Sequence, residues 1–415
     1  MPNRNMPAAN KHMLRKHRKT ALALFIALTS GVAPQVFAAG FQLNAQSATG
    51  LGRAFAGDAI IADNASVMAK NAAAMSLFES PELSFGGIYI DTNVDVTDAT
   101  YTPIIGDSVD ASIDDIGGSS VIPNFYYIHP LSDSRWTVGV SAYSNFATDV
   151  GFPDGYVASE FGGETQLTSV NIGLSASYRI NEQWSVGGGI DLIHGSGVIK
   201  REGLLNVDAK GEALGFNLGI AYELDENNRF GLSYRYSPEL QAEGDVSMVG
   251  MTADSINIPL PDIVEFSGYH KLNNSFAVHY SLQFVEWSSF DALTADGFDA
   301  SIKEYQWGNA GHLSLGGTYY ANEKWQFRAG YMFDKAPTQE LTSLSIPDSD
   351  RHWFTVGAGY QIDKDTTIDI GASYIVAEDA QINESLTTIP GTASNISATT
   401  NVDALSFGLQ YSYRF

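Results

Sequence analysis

From Pro81 to the C-terminus, apolar and polar residues alternate with a period of two. In the last stretch Leu405, Phe407, Leu409, Tyr411, Tyr413 and Phe415 interleave with Ser406, Gly408, Gln410, Ser412 and Arg414. Such spacing puts one set on each face of a β-strand. The same alternation recurs at 170–178, 214–222, 276–284 and 325–333. The polar members are small and mixed, and aromatic residues gather at strand ends: Trp184, Tyr222, Phe230, Tyr319, Trp325, Tyr360 and Phe415. An apolar face toward lipid, a polar face toward a crowded lumen and aromatic girdles at the interfaces are the marks of a membrane barrel. Short turns near 132–134, 181–183, 225–228, 273–274, 322–324 and 363–365 separate long links near 98–120, 145–164, 202–211, 246–261, 288–310, 336–350 and 379–400. These thirteen connections join fourteen strands, of which the one near 262–271 alternates least regularly. The expected fold is all-β, a transmembrane antiparallel β-barrel of 14 strands over residues 81–415, with short turns on the periplasmic side.

The N-terminal 80 residues follow other rules. Arg4, Lys11, Arg15, Lys16, Arg18 and Lys19 precede an apolar run at 21–32, and Val36-Phe37-Ala38 forms a small-x-small site. Basic head, short apolar middle and small-residue site predict a secretory signal over 1–38, cleaved after Ala38. Its apolar run is shorter than the roughly 20 residues a spanning helix needs. Residues 39–80 are rich in small side chains and lack strand-like alternation. Lying between an export signal and a barrel, they are expected to plug the lumen.

Charge and composition narrow the function. The chain carries a net charge of −24, and removal of six basic residues with the signal makes it −30. So acidic a surface offers no basic face for nucleic acid. Cysteine is absent, which excludes disulfides and thiolate metal sites. The eight histidines are scattered, without metal-ligand spacing. Gly50-Leu51-Gly52 lacks the third glycine and the βαβ setting of a phosphate loop, and no nucleophile elbow occurs. No enzymatic activity, cofactor or metal is expected. His279 and His312 fall on the inward parity, where they suit a polar lumen. Counted outward from Trp184, Arg201 is also inward, where it can pair with a ligand carboxylate or with a lumen acid such as Asp191 or Asp369.

Four blocks carry a family resemblance: AGFQLN…GLGRAFAGDA…IADNAS, LTSVNIGLSASYRINEQWSVGGGID, LPDIVEFSGYHKLNNSFAVHYSLQFVEWSSF and SIPDSDRHWFTVGAGYQIDKDTTIDIGASY. In order and over nearly the whole mature length, they resemble the FadL family of Gram-negative outer-membrane transporters of long-chain fatty acids. The resemblance implies a fourteen-stranded barrel with an N-terminal hatch at 39–80. It also implies an apolar internal pocket and sideways exit beside a kinked third strand, near 135–143, once the hatch N-terminus shifts. It assigns Arg201 to the fatty-acid carboxylate and makes Ala39, Gly40, Asn71, Ala72 and Ala73 gating positions. Phe41, Leu43 and Phe55 are expected at or near the pocket, and headgroup neutralisation is expected to rest on Arg201 alone, or on His312 or Lys303. The chain departs from the family in three places. Asn-Pro-Ala of the hatch reads Asn71-Ala72-Ala73, a second basic position aligns near Gly308, and the links 202–211 and 246–261 are short for a surface capture groove. The functions in view are passive outer-membrane transport of fatty acids or similar hydrophobic compounds, uptake of neutral monoaromatic hydrocarbons, and a general porin or receptor barrel. A closed barrel has no free edge, so a monomer surrounded by outer-membrane lipid is expected.

Overall fold

The computed structural model describes residues 40–415 apart from 300, 339–341 and 390. The expected signal and Ala39 lie outside the described residues. Fourteen antiparallel strands form the wall. They are β1 Glu82–Thr102, β2 Ser119–Pro130, β3 Trp136–Tyr143, β4 Glu164–Arg179, β5 Trp184–Arg201, β6 Leu205–Asp225 and β7 Asn228–Tyr236, then β8 Ile263–Lys271, β9 Phe276–Val285, β10 Ala310–Tyr320, β11 Trp325–Lys335, β12 Arg351–Gln361, β13 Thr366–Ala377 and β14 Thr392–Arg414. Each pairs with the next, and the register Leu83↔Tyr413 through Thr97↔Thr399 joins β1 to β14 and closes the barrel.

Burial is inverted relative to a water-soluble protein. On β14 Leu409 is 60% exposed while Ser406 is 0% exposed. An apolar band of this kind needs lipid around it. At the short-turn end it finishes in cross-strand aromatic pairs, Trp184–Tyr222 at 4.4 Å, Trp325–Tyr360 at 4.6 Å and Phe276–Tyr319 at 4.9 Å. One turn device repeats there. Asn181, Asn273 and Asn322 each accept backbone N–H bonds from residues two and three further on, the last being Trp184, Phe276 or Trp325. An Asx-turn thus reverses the chain and delivers an aromatic ring to the interface.

Above the band the sheet continues as β-ribbons. Residues 202–211 and 246–261, read from sequence as links, are largely strand. Leu205–Asp225 begins inside the first, and the hairpin Leu240–Met248/Met251–Ile258 fills most of the second.

Among the described residues the wall has one break. The β2–β3 ladder runs from Pro130↔Thr137 only to Phe125↔Ala142. The chain turns inward after Tyr143 and resumes at Ala147–Gly151, pairing there with β4. Residues at the start of the N-terminal segment occupy the vacated side. Leu43 donates its amide to Asn145 O at 2.6 Å, Ala147 donates to Phe41 O at 2.9 Å, and Gln42 bridges Phe146.

Residues 40–80 fold inside the barrel as three short helical turns, Ala48–Leu51, Ala65–Ala69 and Ala72–Leu77. Ser47, Asn64 and Asn71 cap them, each accepting an N–H with its side-chain oxygen. The small inward polar residues of the wall satisfy the backbone of this segment. Ser84 Oγ accepts from Ala65, Ser267 Oγ from Ala59, Ser281 Oγ from Gly57 and Gln410 Oε1 from Ala48. An irregular chain cannot sit in a water-poor lumen unless such acceptors are provided.

Candidate functional site

The site begins with the turn of β5 into β6. The outward residues of β5 run Trp184, Val186, Ile190 and Leu192, then change to His194 and Lys200. Arg201 therefore lies beyond the lipid band, on the inward side. Its Nη1 donates to the carbonyls of Glu164 at 2.8 Å and Lys200 at 2.7 Å, and its Nη2 donates to Thr165 Oγ1 at 2.7 Å. The lumen acids considered as partners are taken elsewhere: Asp191 pairs with Arg235 at 2.6 Å and Asp369 with Arg328 at 2.8 Å. Among the described residues Arg201 forms no ion pair, although it is 8% exposed. A desolvated guanidinium without an anion is costly, and a ligand carboxylate would supply the missing charge.

Thr165 belongs to the lining of a narrow apolar cavity that is nearly filled by its own walls, with about 20 Å³ free. Ile199, Val207, Ile256, Ile258, Leu293 and Ile346 give it aliphatic walls, and Phe41, Phe290 and Tyr305 give it rings. Phe41 is fully buried at the centre of an aromatic cluster. Its ring centroid lies 4.7 Å from Trp287, 4.8 Å from Phe290, 5.7 Å from Trp307 and 5.8 Å from Phe146. Arg201 thus adjoins the cavity through Thr165, and the same lining includes Phe41 of the N-terminal segment and Thr148 of the segment after the broken strand.

The other expected pocket residues are placed apart. Leu43 and Phe55 pack with Trp353 and Met332 in a separate cluster. His312 faces inward between Gln283 and Asp334 in the neighbouring ladders, with both ring nitrogens unpartnered, and is not in the cavity lining. Lys303 is ion-paired with Glu384. Sequence reasoning missed Trp287, Phe290, Tyr305 and Trp307. The available signal was Phe290, Tyr305 and Trp307 inside the link 288–310, with Trp287 immediately before it.

The expected gating positions fall in two places. Gly40 donates its amide to Asp348 Oδ2 at 2.9 Å, and Arg351 Nη2 donates to Asp348 Oδ1 at 2.9 Å. Burial pushes the Asp348 carboxyl up to about 7, while Arg351 beside it pulls the other way. The Gly40 amide favours the charged carboxylate, so its loss moves the Asp348 pKa further up. The proton then binds the released state better, so release is favoured as pH falls through about 7 and is resisted above it. Nitroxide mobility on a cysteine at position 42, followed from pH 8 to pH 5, checks this; Asp348→Asn should flatten the profile.

Asn71, Ala72 and Ala73 lie against β5 and β6. Asn71 Nδ2 donates to Ala59 O at 2.9 Å and Ile220 O at 3.0 Å, while its Oδ1 accepts from Ala73 at 2.9 Å. Glycine permits the approach: a Cβ at Gly187 would stand 2.5 Å from Ala73 N, and one at Gly219 1.9 Å from Asn71 Oδ1. Ala72 occupies the first position of a 3-10 helix, which also suits proline. The asparagine contacts hold the segment with alanine there.

Among the described residues no cluster of three or more His, Asp or Glu is placed to hold a metal.

The fold and sequence have clear relatives. The solved structure of a Pseudomonas aeruginosa FadL homologue superposes with a TM-score of 0.83 at 20% identity, covering 91% of this chain and 100% of the other. That of the toluene transporter TodX from P. putida gives 0.60 at 18% identity, covering 85% and 94%. The long-chain fatty acid transport protein of Escherichia coli O6:H1 is 33% identical over 96% of this chain and 98% of its own length. Outer membrane protein P1 of Haemophilus influenzae is 31% identical over 97% and 100%. The model of the outer membrane protein transport protein family (OMPP1/FadL/TodX) matches residues 29–415. With that match over nearly its full length, the chain belongs to the OMPP1/FadL/TodX family of outer-membrane β-barrel transport proteins.

Proposed function

We propose that this protein admits long-chain fatty acids across the outer membrane by passive diffusion, with residues 39–80 as the hatch that controls passage. The observation that carries this reading is Arg201, a buried cation beside an apolar cavity with no ion-pair partner among the described residues. An acyl chain gains about 0.8 kcal/mol per buried methylene, so the aliphatic walls provide affinity and the guanidinium fixes the head. Escape needs no energy source, because the bilayer is an equally apolar sink. The break after Tyr143, occupied by residues 41–43, supports sideways exit there. On this reading the protein is a monomeric transporter and performs no catalysis.

The test is labelled-oleate uptake in cells expressing the protein or its Arg201→Met variant. Loss of a charge-assisted hydrogen bond is worth ~1.5–3 kcal/mol, so half-saturation should rise roughly 10- to 150-fold. Unchanged uptake by a correctly inserted variant would end the fatty-acid reading. The aromatic cluster around Phe41 favours a second reading, in which neutral aromatic hydrocarbons enter by the same cavity. In that case toluene entry depends on the protein and is indifferent to Arg201→Met.

A further inference from the structure

Other polar groups lie near both Arg201 and the cavity. Tyr305, in the lining, shares a hydrogen bond of 3.2 Å with Ser345 Oγ. Ser345 belongs to a tight turn closed by the bridge Ser343↔Ile346, and Ile346 also lines the cavity. The turn therefore forms part of the roof. Its second tether is Glu384, from the strand Ala380–Ile389 that pairs with β14. Glu384 Oε1 accepts the Leu344 amide at 2.7 Å, and Oε2 accepts from Lys303 Nζ. Glu384 is 8% exposed, and both it and Tyr305 lie within electrostatic reach of Arg201.

Charge counting makes this arrangement informative. Glu384, the carboxylate within electrostatic reach of Arg201, is already ion-paired with Lys303, and Arg201 itself has no ion pair among the described residues. A ligand carboxylate would supply its counter-charge. Glu384 already shows what a carboxylate does there: it takes Lys303 with one oxygen and a roof amide with the other.

We propose that Glu384 is an internal stand-in for the ligand's carboxylate and a specificity determinant. An incoming carboxylate settles on Arg201, competes for Lys303 and loosens Glu384's hold on the turn at 343–346. A fatty alcohol or hydrocarbon has no charge with which to compete, so it fills the cavity without releasing the roof. The inference rests on the fatty-acid reading above and adds to it the means by which anionic amphiphiles are told from neutral ones.

The experiment uses the full chain in lipid nanodiscs, with hexadecanoate and hexadecanol as probes. Glu384→Gln keeps an acceptor for Leu344 but frees Lys303, so hexadecanoate should bind at least tenfold more tightly and hexadecanol less than threefold differently. In the double variant Lys303→Met/Glu384→Gln the gain should fall below threefold. In the wild type, hexadecanoate should speed hydrogen exchange in the peptide spanning 342–346, and hexadecanol should not. That measurement stands even if a variant fails to fold. Three results overturn the inference: no gain in Glu384→Gln, a gain that persists without Lys303, or equal exchange with both probes. If hexadecanoate binding is indifferent to Arg201→Met, the fatty-acid reading itself fails. If binding depends on Arg201 and the Glu384 results are negative, only the stand-in role fails.

Discussion

Replacing Arg328 by Met should destabilise the barrel by roughly 3–5 kcal/mol, the cost of leaving buried charges without their partner, and should make it leak. Arg328 projects inward from β11 with its side chain 1% exposed. It donates to Asp369 on β13 at 2.8 Å and lies 3.6 Å from Asp63 of the hatch. Asp63 in turn takes Arg53 at 2.6 Å, and Arg53 takes Asp58 at 2.7 Å. Three aspartates and two arginines thus form one chain from hatch to wall. Arg328 is its single link between the two. Removing it strands Asp369 and takes away half of Asp63's compensation. The check is the heat-denaturation midpoint in detergent together with planar-bilayer conductance. The variant should melt lower and pass current where the wild type passes little, because the loosened hatch no longer fills the lumen. Arg328→Lys should lose less. Arg328→Met with Asp369→Leu should recover much of the melting temperature, since apolar replacement of a whole pair is often neutral, but the leak should persist because Asp63 is still unpinned. A single variant that melts and conducts like the wild type would show that the charge chain does not hold the hatch.

The wall was legible because lipid enforces period two on every strand that crosses it. The rule weakens wherever something other than lipid or water sets a face. On β8, Ile263 and Tyr269 point inward although they are apolar, because Tyr269 packs against the hatch and stacks on His279 at 5.5 Å. This is why 262–271 reads as irregular. Above the membrane the rule reverses. In β6, Val207 and Ala209 are buried while Asn206, Asp208 and Lys210 face water, the opposite polarity to Leu214 and Leu218 in the same strand. A search for apolar outward residues therefore sees loops at 202–211 and 246–261 where the sheet continues. Arg201 was predictable because β5 and β6 stay in register from Trp184 to Arg201 without a bulge, so parity survived the distance. The break after Tyr143 was not legible from local pattern. The backbone of residues 41–43 competes for its hydrogen bonds from about a hundred residues away. The Lys303–Glu384 pair and the cluster around Phe41 likewise join separate segments whose meeting only the closed barrel decides.

Truncating Phe41 to Ala should release the start of the N-terminal segment. The ring is fully buried among Trp287, Phe290, Trp307 and Phe146, and Phe→Ala at such a site costs roughly 3–5 kcal/mol. What remains to hold residues 40–43 is the Gly40 bond to Asp348, the backbone bonds Leu43 to Asn145 and Ala147 to Phe41, the Gln42 side-chain bond to Gln283 and the buried Leu43. The released fraction should rise by roughly 10²-fold to several thousand-fold. The chain has no cysteine of its own, so one introduced at position 42 is the single reporter, and its loss of the Gln42–Gln283 bond is common to every variant compared. Its labelling by a water-soluble maleimide should accelerate by about that factor in Phe41→Ala and much less in Phe41→Leu. An unchanged rate would mean the backbone bonds alone keep the segment in place. The same energies bear on the ligand. At about 0.8 kcal/mol per methylene, some four to six methylenes match the ring, and both draw on the same cavity wall. A short-chain acid therefore has the head group for Arg201 but not the apolar length to take Phe41's place, whereas a long-chain acid has both. Uptake by the wild type should rise steeply once the chain exceeds that length. In Phe41→Ala the threshold should flatten, with short acids gaining entry disproportionately, because the competitor they could not displace is gone.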